Sequence, residues 1–123
     1  MSGFKLDFAL LNARSICNKS CVINDYVANY DLDVFAVTET GLRVDNYDQY
    51  YIRDICPDGY KFYHIPRLHS TGGGVGVVLK DSFSVETIPC GHYGSFVSIE
   101  VTLKISGFFV RLIVLYRPPS LSA

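Results

Sequence analysis

The sequence predicts an α/β fold, and three observations carry that prediction. The chain opens with an alternating apolar pattern, continues with a short amphipathic helix and a fully apolar run, and ends in several strand-like segments with short connections. A strand, a helix and a second strand in that order form a βαβ unit, whose strands normally lie parallel in one sheet. The later strands form a β-meander. We therefore expect a mixed sheet, or part of a two-sheet sandwich.

The first strand of the βαβ unit is indicated by a period of two and ends at Asn12. Its predicted buried face is made of Phe4, Leu6, Phe8 and Leu10. The following helix is indicated by apolar residues at helical spacing, with Asn18 available as the N-cap; these residues are Val22, Ile23, Tyr26, Val27 and Tyr30. The continuous apolar run 34–37 predicts an internal strand that ends at Thr38 and Glu39. Asn12 and Glu39 are then expected to lie close together, at the same edge of the sheet.

The second half of the chain is predicted to be mostly strands. A helical turn is expected within 47–55, and Pro57-Asp58-Gly59 is a strong turn signal. Ser106-Gly107 is the expected turn of the last hairpin. The predicted strands are 60–65, 75–79, 83–88, 96–103 and 108–116. The prolines at 118 and 119 lack backbone donors and end the last strand.

The composition predicts a single globular domain without a strongly basic surface. The chain has 123 residues, 49% of them apolar, and a formal net charge of -1. Bulk electrostatic binding of nucleic acid needs clustered Lys and Arg, so any affinity for DNA must be local and weak. The candidate cations lie in or beside predicted loops and are Arg14, Arg43, Arg53, Arg67 and Arg117.

The remaining compositional features favour an intracellular, soluble protein that is not secreted. The first seven residues lack the apolar core of a signal peptide, and the longest apolar candidate, 108–116, is broken by Arg111 and is too short to cross a membrane. The four cysteines are therefore expected to be free and mostly buried thiols. They are Cys17, Cys21, Cys56 and Cys90.

Three polar residues close the three most apolar strands: Asn12, Glu39 and Tyr116. Ligands of open α/β sheets bind outside the carboxyl ends of strands, so this edge is the first candidate for a site. The carboxylate of Glu39 suits Mg²⁺, which prefers hard oxygen ligands. The alternatives stay open: Glu39 could cap a turn or pair with an arginine, Asn12 could form a turn, and Tyr116 could be a packing aromatic.

A glycine run precedes the fourth predicted strand, in the segment Thr71-Gly72-Gly73-Gly74-Val75-Gly76. A nucleotide-binding loop joins a strand to a helix and ends in Gly-Lys-Ser/Thr, and neither condition holds here. A loop that lets the sheet approach another layer or DNA is favoured instead. A zinc site is likewise disfavoured, because the chain has no Cys-x-x-Cys pair.

Four ordered blocks of this sequence resemble the endonuclease domain of non-LTR retrotransposons, which belongs to the endonuclease/exonuclease/phosphatase superfamily. The blocks are Leu11-Asn12-Ala13-Arg14-Ser15-Ile16-Cys17-Asn18-Lys19, Leu32-Asp33-Val34-Phe35-Ala36-Val37-Thr38-Glu39-Thr40, Gly72-Gly73-Gly74-Val75-Gly76-Val77 and Leu115-Tyr116-Arg117-Pro118-Pro119. The resemblance runs from about Phe8 to Pro119. Four blocks in order are more specific than any one motif.

The resemblance implies the amino-terminal part of a four-layer α/β/β/α sandwich of the DNase I-like, apurinic-endonuclease type. It implies hydrolysis of a DNA phosphodiester with Mg²⁺, or alternatively Mn²⁺. Glu39 matches the metal-binding glutamate, while Asn12 and Tyr116 match catalytic residues near the attacking water and the scissile phosphate. Arg14 and Arg117 are the expected substrate-binding residues.

The later blocks of that family are not found in this sequence. The family continues with a Gly-Asp-Phe-Asn-like block and then an aspartate-histidine pair, whereas His64, His69 and His92 match no catalytic position. We therefore expect residues 1–123 to be a partial domain, truncated after the tyrosine strand and inactive alone because general-base function is missing. The missing carboxyl-terminal half, and a reverse transcriptase in the parent polypeptide, are the implied partners. A non-catalytic retrotransposon remnant and a lipid phosphatase of the same superfamily remain alternatives.

Overall fold

A computed structural model describes residues 5–42, 49–66, 73–93 and 96–117. Two helices and seven strands occur in these ranges. In chain order they are β1 (Phe8–Asn12), α1 (Ser20–Asn29), β2 (Val34–Thr38), α2 (Gln49–Ile55), β3 (Tyr60–Ile65), β4 (Val75–Lys80), β5 (Ser84–Tyr93), β6 (Phe96–Ile105) and β7 (Phe108–Tyr116). The predicted order of elements is confirmed.

The strands form two sheets. The first has the order β1-β2-β4-β3, with β1 and β2 parallel and the other neighbours antiparallel. The second is an antiparallel meander in the order β5-β6-β7. The parallel pair is the one that α1 connects, as expected for a βαβ unit. The predicted α/β class with a mixed sheet and a meander is therefore confirmed.

The described residues are arranged in three layers, with a core on each face of the first sheet. The helices pack on one face, where Ile23, Val27, Val37 and Ile55 are buried. The second sheet packs on the other face, where side chains of β2 and β4 meet side chains of β6 and β7. Because β2 and β4 are covered on both faces, their residues are continuously apolar instead of alternating.

The predicted buried face of the first strand is wrong for two of its residues. Phe8 is 47% exposed and Leu10 is 61% exposed, whereas Leu6 does pack against the core cluster between the two sheets. The cause is the stagger between the sheets: β7 contacts β2 and β4, so β1, at the edge, projects beyond the cover. Phe4 lies outside the described residues.

The predicted start and face of the first helix also need correction. Lys19, and not Asn18, occupies the N-cap position of α1, because a turn closed by the Lys19 N–H and the Ile16 carbonyl (3.0 Å) precedes the helix. The buried face consists of Ser20, Ile23 and Val27. Three apolar residues of the predicted face are exposed instead: Val22, Tyr26 and Tyr30.

The expectation of buried thiols is wrong for two cysteines. Cys17 and Cys21 are exposed and Cys56 is half-buried, and all three are free. Burial, with a smaller contribution from Asp81, raises the pKa of the Cys56 thiol. Cys90 belongs to β5, where its side chain lies outside the described residues. Neither α1 nor α2, the helices of the described ranges, is long and apolar enough to cross a membrane.

Candidate active site

The three polar residues that close the apolar strands are all found at strand ends in the structure. Asn12 is the last residue of β1 and pairs with Thr38 of β2. Glu39 follows Thr38 directly, so the amide-bearing residue and the carboxylate-bearing residue lie at the same edge of the first sheet. Tyr116 is the last residue of β7 in the second sheet. Asn12 is exposed, whereas Glu39 and Tyr116 are half-buried.

Glu39 and Tyr116 are in direct contact across the two sheets. The Tyr116 hydroxyl donates a hydrogen bond to the Glu39 carboxylate, and β7 packs on β2 beneath this contact. Burial, then this hydrogen bond and then the negative charge of Glu39 raise the pKa of Tyr116 to about 12. The phenol therefore keeps its proton at neutral pH and remains a hydrogen-bond donor beside a carboxylate.

The backbone around Glu39 has an unusual conformation. Glu39 has φ +54°, and Arg14 and Ser15 in the neighbouring loop have φ +58° and +121°. Non-glycine residues seldom adopt positive φ, and each instance costs on the order of 1–3 kcal/mol unless the surroundings hold it. The Ser15 N–H donates to the Glu39 carbonyl at 2.8 Å, so the two strained segments are bonded to each other.

Two arginines flank this edge. Arg14 lies two residues beyond β1 and Arg117 directly follows β7, and both are exposed. They meet the sequence expectation of exposed cations beside loops. Arg53 does not, because it lies within α2, where its guanidinium sits 5.2 Å from the centre of the Tyr50 ring. Arg43 and Arg67 lie outside the described residues.

The side chain of one histidine, His64, lies within the described residues. His64 belongs to β3, where its ring stacks on Phe62 with ring centres 5.2 Å apart. His69 is outside the described residues, and the side chain of His92 is as well. The sequence expectation that none of them matches a catalytic position stays a prediction.

The donor set at this edge fits a magnesium ion held mainly by water and substrate. Among the residues that the structure describes, no three His, Cys, Asp or Glu side chains lie close enough to hold a metal ion. Glu39 offers a hard carboxylate oxygen here, and Mg²⁺ is commonly held by one or two carboxylates with waters and phosphate oxygens. The edge therefore fits one protein ligand to Mg²⁺, and it does not fit a cage made wholly of protein ligands.

Sequence reasoning did not identify the residues that hold Glu39 in place. Thr40 donates its N–H to the Gly74 carbonyl at 3.2 Å, and Gly41 donates its N–H to the Gly73 carbonyl at 2.9 Å. The signal for these residues was the glycine run, which the sequence pattern associates with a close approach of the sheet to another layer or to DNA. Its actual neighbour is the segment after β2. Gly72 and Thr71 lie outside the described residues.

No protein-family model matches the sequence, and no curated protein matches it significantly. Solved structures do match. The AP endonuclease of Leishmania major superposes with a TM-score of 0.69 and 17% identity, over 90% of this chain and 40% of that one. An AP endonuclease from Archaeoglobus fulgidus matches with a TM-score of 0.57 and 17% identity, over 87% of this chain and 40% of that one. The endonuclease domain of TRAS1, a telomere-specific non-LTR retrotransposon, matches with a TM-score of 0.55 and 11% identity, over 89% and 43%.

These similarities establish the fold. The chain has the DNase I-like architecture of the AP endonucleases and of the TRAS1 endonuclease domain, and the resemblance inferred from four sequence blocks is confirmed at this level. The chain spans about two fifths of the length of those proteins. At identities of 11–17%, the similarity shows a shared fold only. The chemistry has to be argued from the individual residues.

Proposed function

We propose that this chain is the amino-terminal part of a Mg²⁺-dependent DNA endonuclease domain that nicks the target site of a non-LTR retrotransposon. The observation that carries the proposal is the contact between Glu39 and Tyr116, which joins the carboxyl ends of β2 and β7 across two sheets. A carboxylate and a neutral phenol that meet at the ends of strands from two packed sheets form a site for a metal and a phosphate. The neighbouring folds are AP endonucleases and a retrotransposon endonuclease domain.

Each residue has a role that its position supports. Glu39 is the protein ligand of Mg²⁺ or Mn²⁺. Tyr116 is protonated at neutral pH, and with metal and DNA in the site its single O–H turns from Glu39 to an oxygen of the scissile phosphate. Asn12, exposed at the end of β1, orients the attacking water or the phosphate with its amide. Fixed donors of this kind stabilise developing charge without reorganising during the reaction.

The metal and the flanking arginines supply positive charge to the phosphate. When bound, Mg²⁺ neutralises charge that develops on the phosphate oxygens. Arg14 and Arg117, exposed on either side of the edge, contact phosphates of the DNA backbone. With a net charge of -1 over the chain, these contacts give weak and strongly salt-dependent binding. The proposal also places the protein inside the cell, where its DNA substrate is.

The proposed domain needs further elements to be active. The general base that activates water is expected from a carboxyl-terminal portion, which would also complete the four-layer sandwich, and a reverse transcriptase is expected in the parent polypeptide. Two edge strands support this view. Among the described residues, β1 and β7 each pair on one side only, and Leu10, Phe109 and Leu115 are exposed by 60% or more. Edges of this kind are normally paired or covered. Residues 1–123 alone are therefore proposed to be inactive.

A non-catalytic remnant is the second candidate function. The observation that favours it is that no three potential metal ligands cluster within the described part of the chain. A remnant would hold Mn²⁺ and DNA equally weakly before and after Glu39 is replaced, whereas a metal site would lose Mn²⁺ affinity. Metal binding therefore separates the two candidates.

The test is Mn²⁺ binding and DNA nicking by matched variants. We expect Mn²⁺ to broaden the NMR signal of Tyr116 in the wild-type chain and in Glu86→Ala, an exposed glutamate of the second sheet, and to leave it sharp in Glu39→Ala. A polypeptide extended by the parent sequence should nick supercoiled plasmid with Mg²⁺. Glu39→Ala should reduce that rate by about a thousand-fold or more, and Tyr116→Phe by roughly a hundred- to a thousand-fold.

Two outcomes would refute the proposal. Equal Mn²⁺ broadening in Glu39→Ala and Glu86→Ala would remove Glu39 from the metal site and leave the remnant as the better description. Nicking by residues 1–123 that disappears in Glu39→Ala would show that the chain carries its own base, and the proposed inactivity would be wrong.

A further inference from the structure

Three loop segments meet beside Glu39 and continue the first sheet beyond its strands. Residues 39–41 lie in the middle. On one side the Ser15 N–H donates to the Glu39 carbonyl at 2.8 Å, and the Ile16 N–H donates to the Thr40 carbonyl at 2.9 Å. On the other side, residues 73–74 accept hydrogen bonds from the two N–H groups that follow Glu39. Residues 15, 16, 73 and 74 are hereafter called the clamp.

The clamp accounts for the left-handed backbone of Glu39. At φ +54° the backbone of Glu39 is strained, and this conformation persists only if the residues on both sides are held in place. Thr40 is fully buried, and its side-chain oxygen accepts the Leu42 N–H at 3.3 Å. The segment after Glu39 therefore has little freedom to relax. The direction of the carboxylate follows from this fixed backbone.

Glycine is required at three positions in and beside residues 39–41. Gly73 and Gly74 have φ +98° and +90°, and Gly41 has φ +71°. Side chains disfavour this region, so the carbonyls of Gly73 and Gly74 reach the segment because these residues lack a Cβ atom. The glycine run thus has a geometric role unrelated to binding a nucleotide.

We propose that the clamp, together with Gly41, is a positioning element that aims the Glu39 carboxylate at the Tyr116 hydroxyl. It touches neither metal nor substrate and acts through Glu39. The inference rests on the proposed function for its importance to catalysis. The effect of the clamp on the contact between Glu39 and Tyr116 can be measured without metal or DNA. The inference can therefore fail while the proposed function stands, and the two failures are distinguishable.

The variant that tests the clamp is Gly41→Ala. A Cβ atom at Gly41 would lie 3.4 Å from Ser15, an ordinary contact, so the substitution disturbs the backbone through φ and not through a clash. Gly107→Ala is the matched control. Gly107 has φ +84° in the turn between β6 and β7, with nothing within 4 Å of an added Cβ atom. Both variants impose the same kind of backbone strain, and only one lies beside Glu39.

The readout is the NMR signal of the Tyr116 ring carbon that bears the hydroxyl, in protein labelled at its nine tyrosines. Tyr116→Phe assigns the signal, and Glu39→Ala gives its position without the carboxylate. We expect Gly41→Ala to move the signal most of the way to the Glu39→Ala position, while Gly107→Ala leaves it at the wild-type position.

The proposal is overturned if the Tyr116 signal stays in place in a folded Gly41→Ala protein, or if Gly107→Ala moves it equally. If Gly41→Ala unfolds the chain, Gly41→Asn replaces it, because asparagine tolerates the left-handed region. A folded Gly41→Asn protein is expected to keep the wild-type Tyr116 signal. A shifted signal in that variant would also overturn the proposal.

Discussion

The inner strands and the edge strands of this protein have similar sequences and very different surroundings. Every residue of β2 is buried, and so is β4 from Val75 to Leu79. The edge strands β1 and β7 are equally apolar, yet Leu10 of β1 and Leu115 of β7 are 61% and 60% exposed. An apolar strand sequence therefore indicates a strand, while its place in the sheet decides how much of it is buried.

The difference follows from the layers that cover each strand. The helices cover β2 and β4 on one face, and the second sheet covers them on the other. β1 projects beyond the second sheet, and the outer face of β7 carries Phe109, Ile113 and Leu115 exposed. Apolar patches of this kind mark surfaces that meet another layer or partner. Stability should therefore be concentrated in the inner strands, and association at the edges.

The largest expected difference in stability is between replacing a leucine of an inner strand and replacing a leucine of an edge strand. Leu79→Ala should lower the free energy of unfolding by about 3 kcal/mol, because Leu79 is fully buried and its truncation leaves a cavity. Leu10→Ala should cost less than about 1 kcal/mol, because Leu10 is already largely hydrated. Urea denaturation of both variants measures the difference. Equal losses would show that β1 is covered in solution.

The second prediction concerns the attachment of β7 to the first sheet through Tyr116. Its pKa is about 12 in the folded protein and 10 for an ordinary tyrosine, so the folded state holds the proton more tightly. The resulting stability is complete below pH 10 and is lost as the pH rises from 10 to about 12. Between pH 10 and 12, the free energy of unfolding should therefore fall less in Tyr116→Phe than in the wild-type protein. The difference should be up to about 2 kcal/mol, after allowance for solvent screening.

The measurement is the free energy of unfolding from pH 8 to 11.5 for the two proteins. Lys80, whose pKa is raised first by its hydrogen bond to Asp31, contributes a slope of the same sign in both. The difference between the two curves therefore isolates Tyr116. Parallel curves would indicate that Tyr116 is neither buried nor hydrogen-bonded to Glu39 in solution.

The third prediction concerns the ion pair on the outer face of the second sheet. Glu100 of β6 has a side chain that is only 7% exposed, and it is bonded to Arg111 of β7. Arg111→Ala leaves a carboxylate buried without its cation and should cost about 1.5 kcal/mol. Adding Glu100→Gln should recover much of that loss. Lys5→Ala, in an exposed pair with Asp7 at 3.6 Å, should cost below about 0.5 kcal/mol.

Thermal or urea denaturation of the single and double variants provides the values. If Arg111→Ala proves as mild as Lys5→Ala, water reaches Glu100 and the outer face is more open than the structure indicates. Failure of Glu100→Gln to recover stability would assign the loss to packing of the arginine stem.

The smallest expected change in stability is that of Leu115→Lys, within about 0.5 kcal/mol, because Leu115 is exposed on an edge strand. Its effect should instead be on association, since a lysine on an edge discourages pairing with other chains. We expect the wild-type chain to aggregate and Leu115→Lys to be more soluble in sedimentation experiments. Ser82→Lys, an equal charge change on an exposed turn, should help less. Sedimentation of the wild-type chain and of Leu115→Lys as equally soluble monomers at every protein concentration would contradict this prediction.

The predictions of which elements occur and in what order were accurate, whereas several predictions of helix face, helix cap and strand end were wrong. The order of the elements, the parallel pairing of β1 with β2 and the turn at Gly107 all follow from short-range signals. The burial of Phe8 was wrong, because it depends on a sheet formed some ninety residues later. β5 was predicted to end near Ile88 but continues to Tyr93, with a shift in register between Ile88 and Gly91. A proline at 89 interrupts the local pattern without ending the strand.

The sequence alone determined the α/β class of the fold and the polar residues that end its apolar strands. It placed Asn12 beside the segment that carries Glu39, because parallel strands end at the same edge. Only the tertiary structure decided that Tyr116, far along the chain, meets Glu39, and that Gly73 and Gly74 hold the backbone after it. These contacts join two sheets and three loops. Their geometry depends on packing and long-range hydrogen bonds, which no short window of sequence contains.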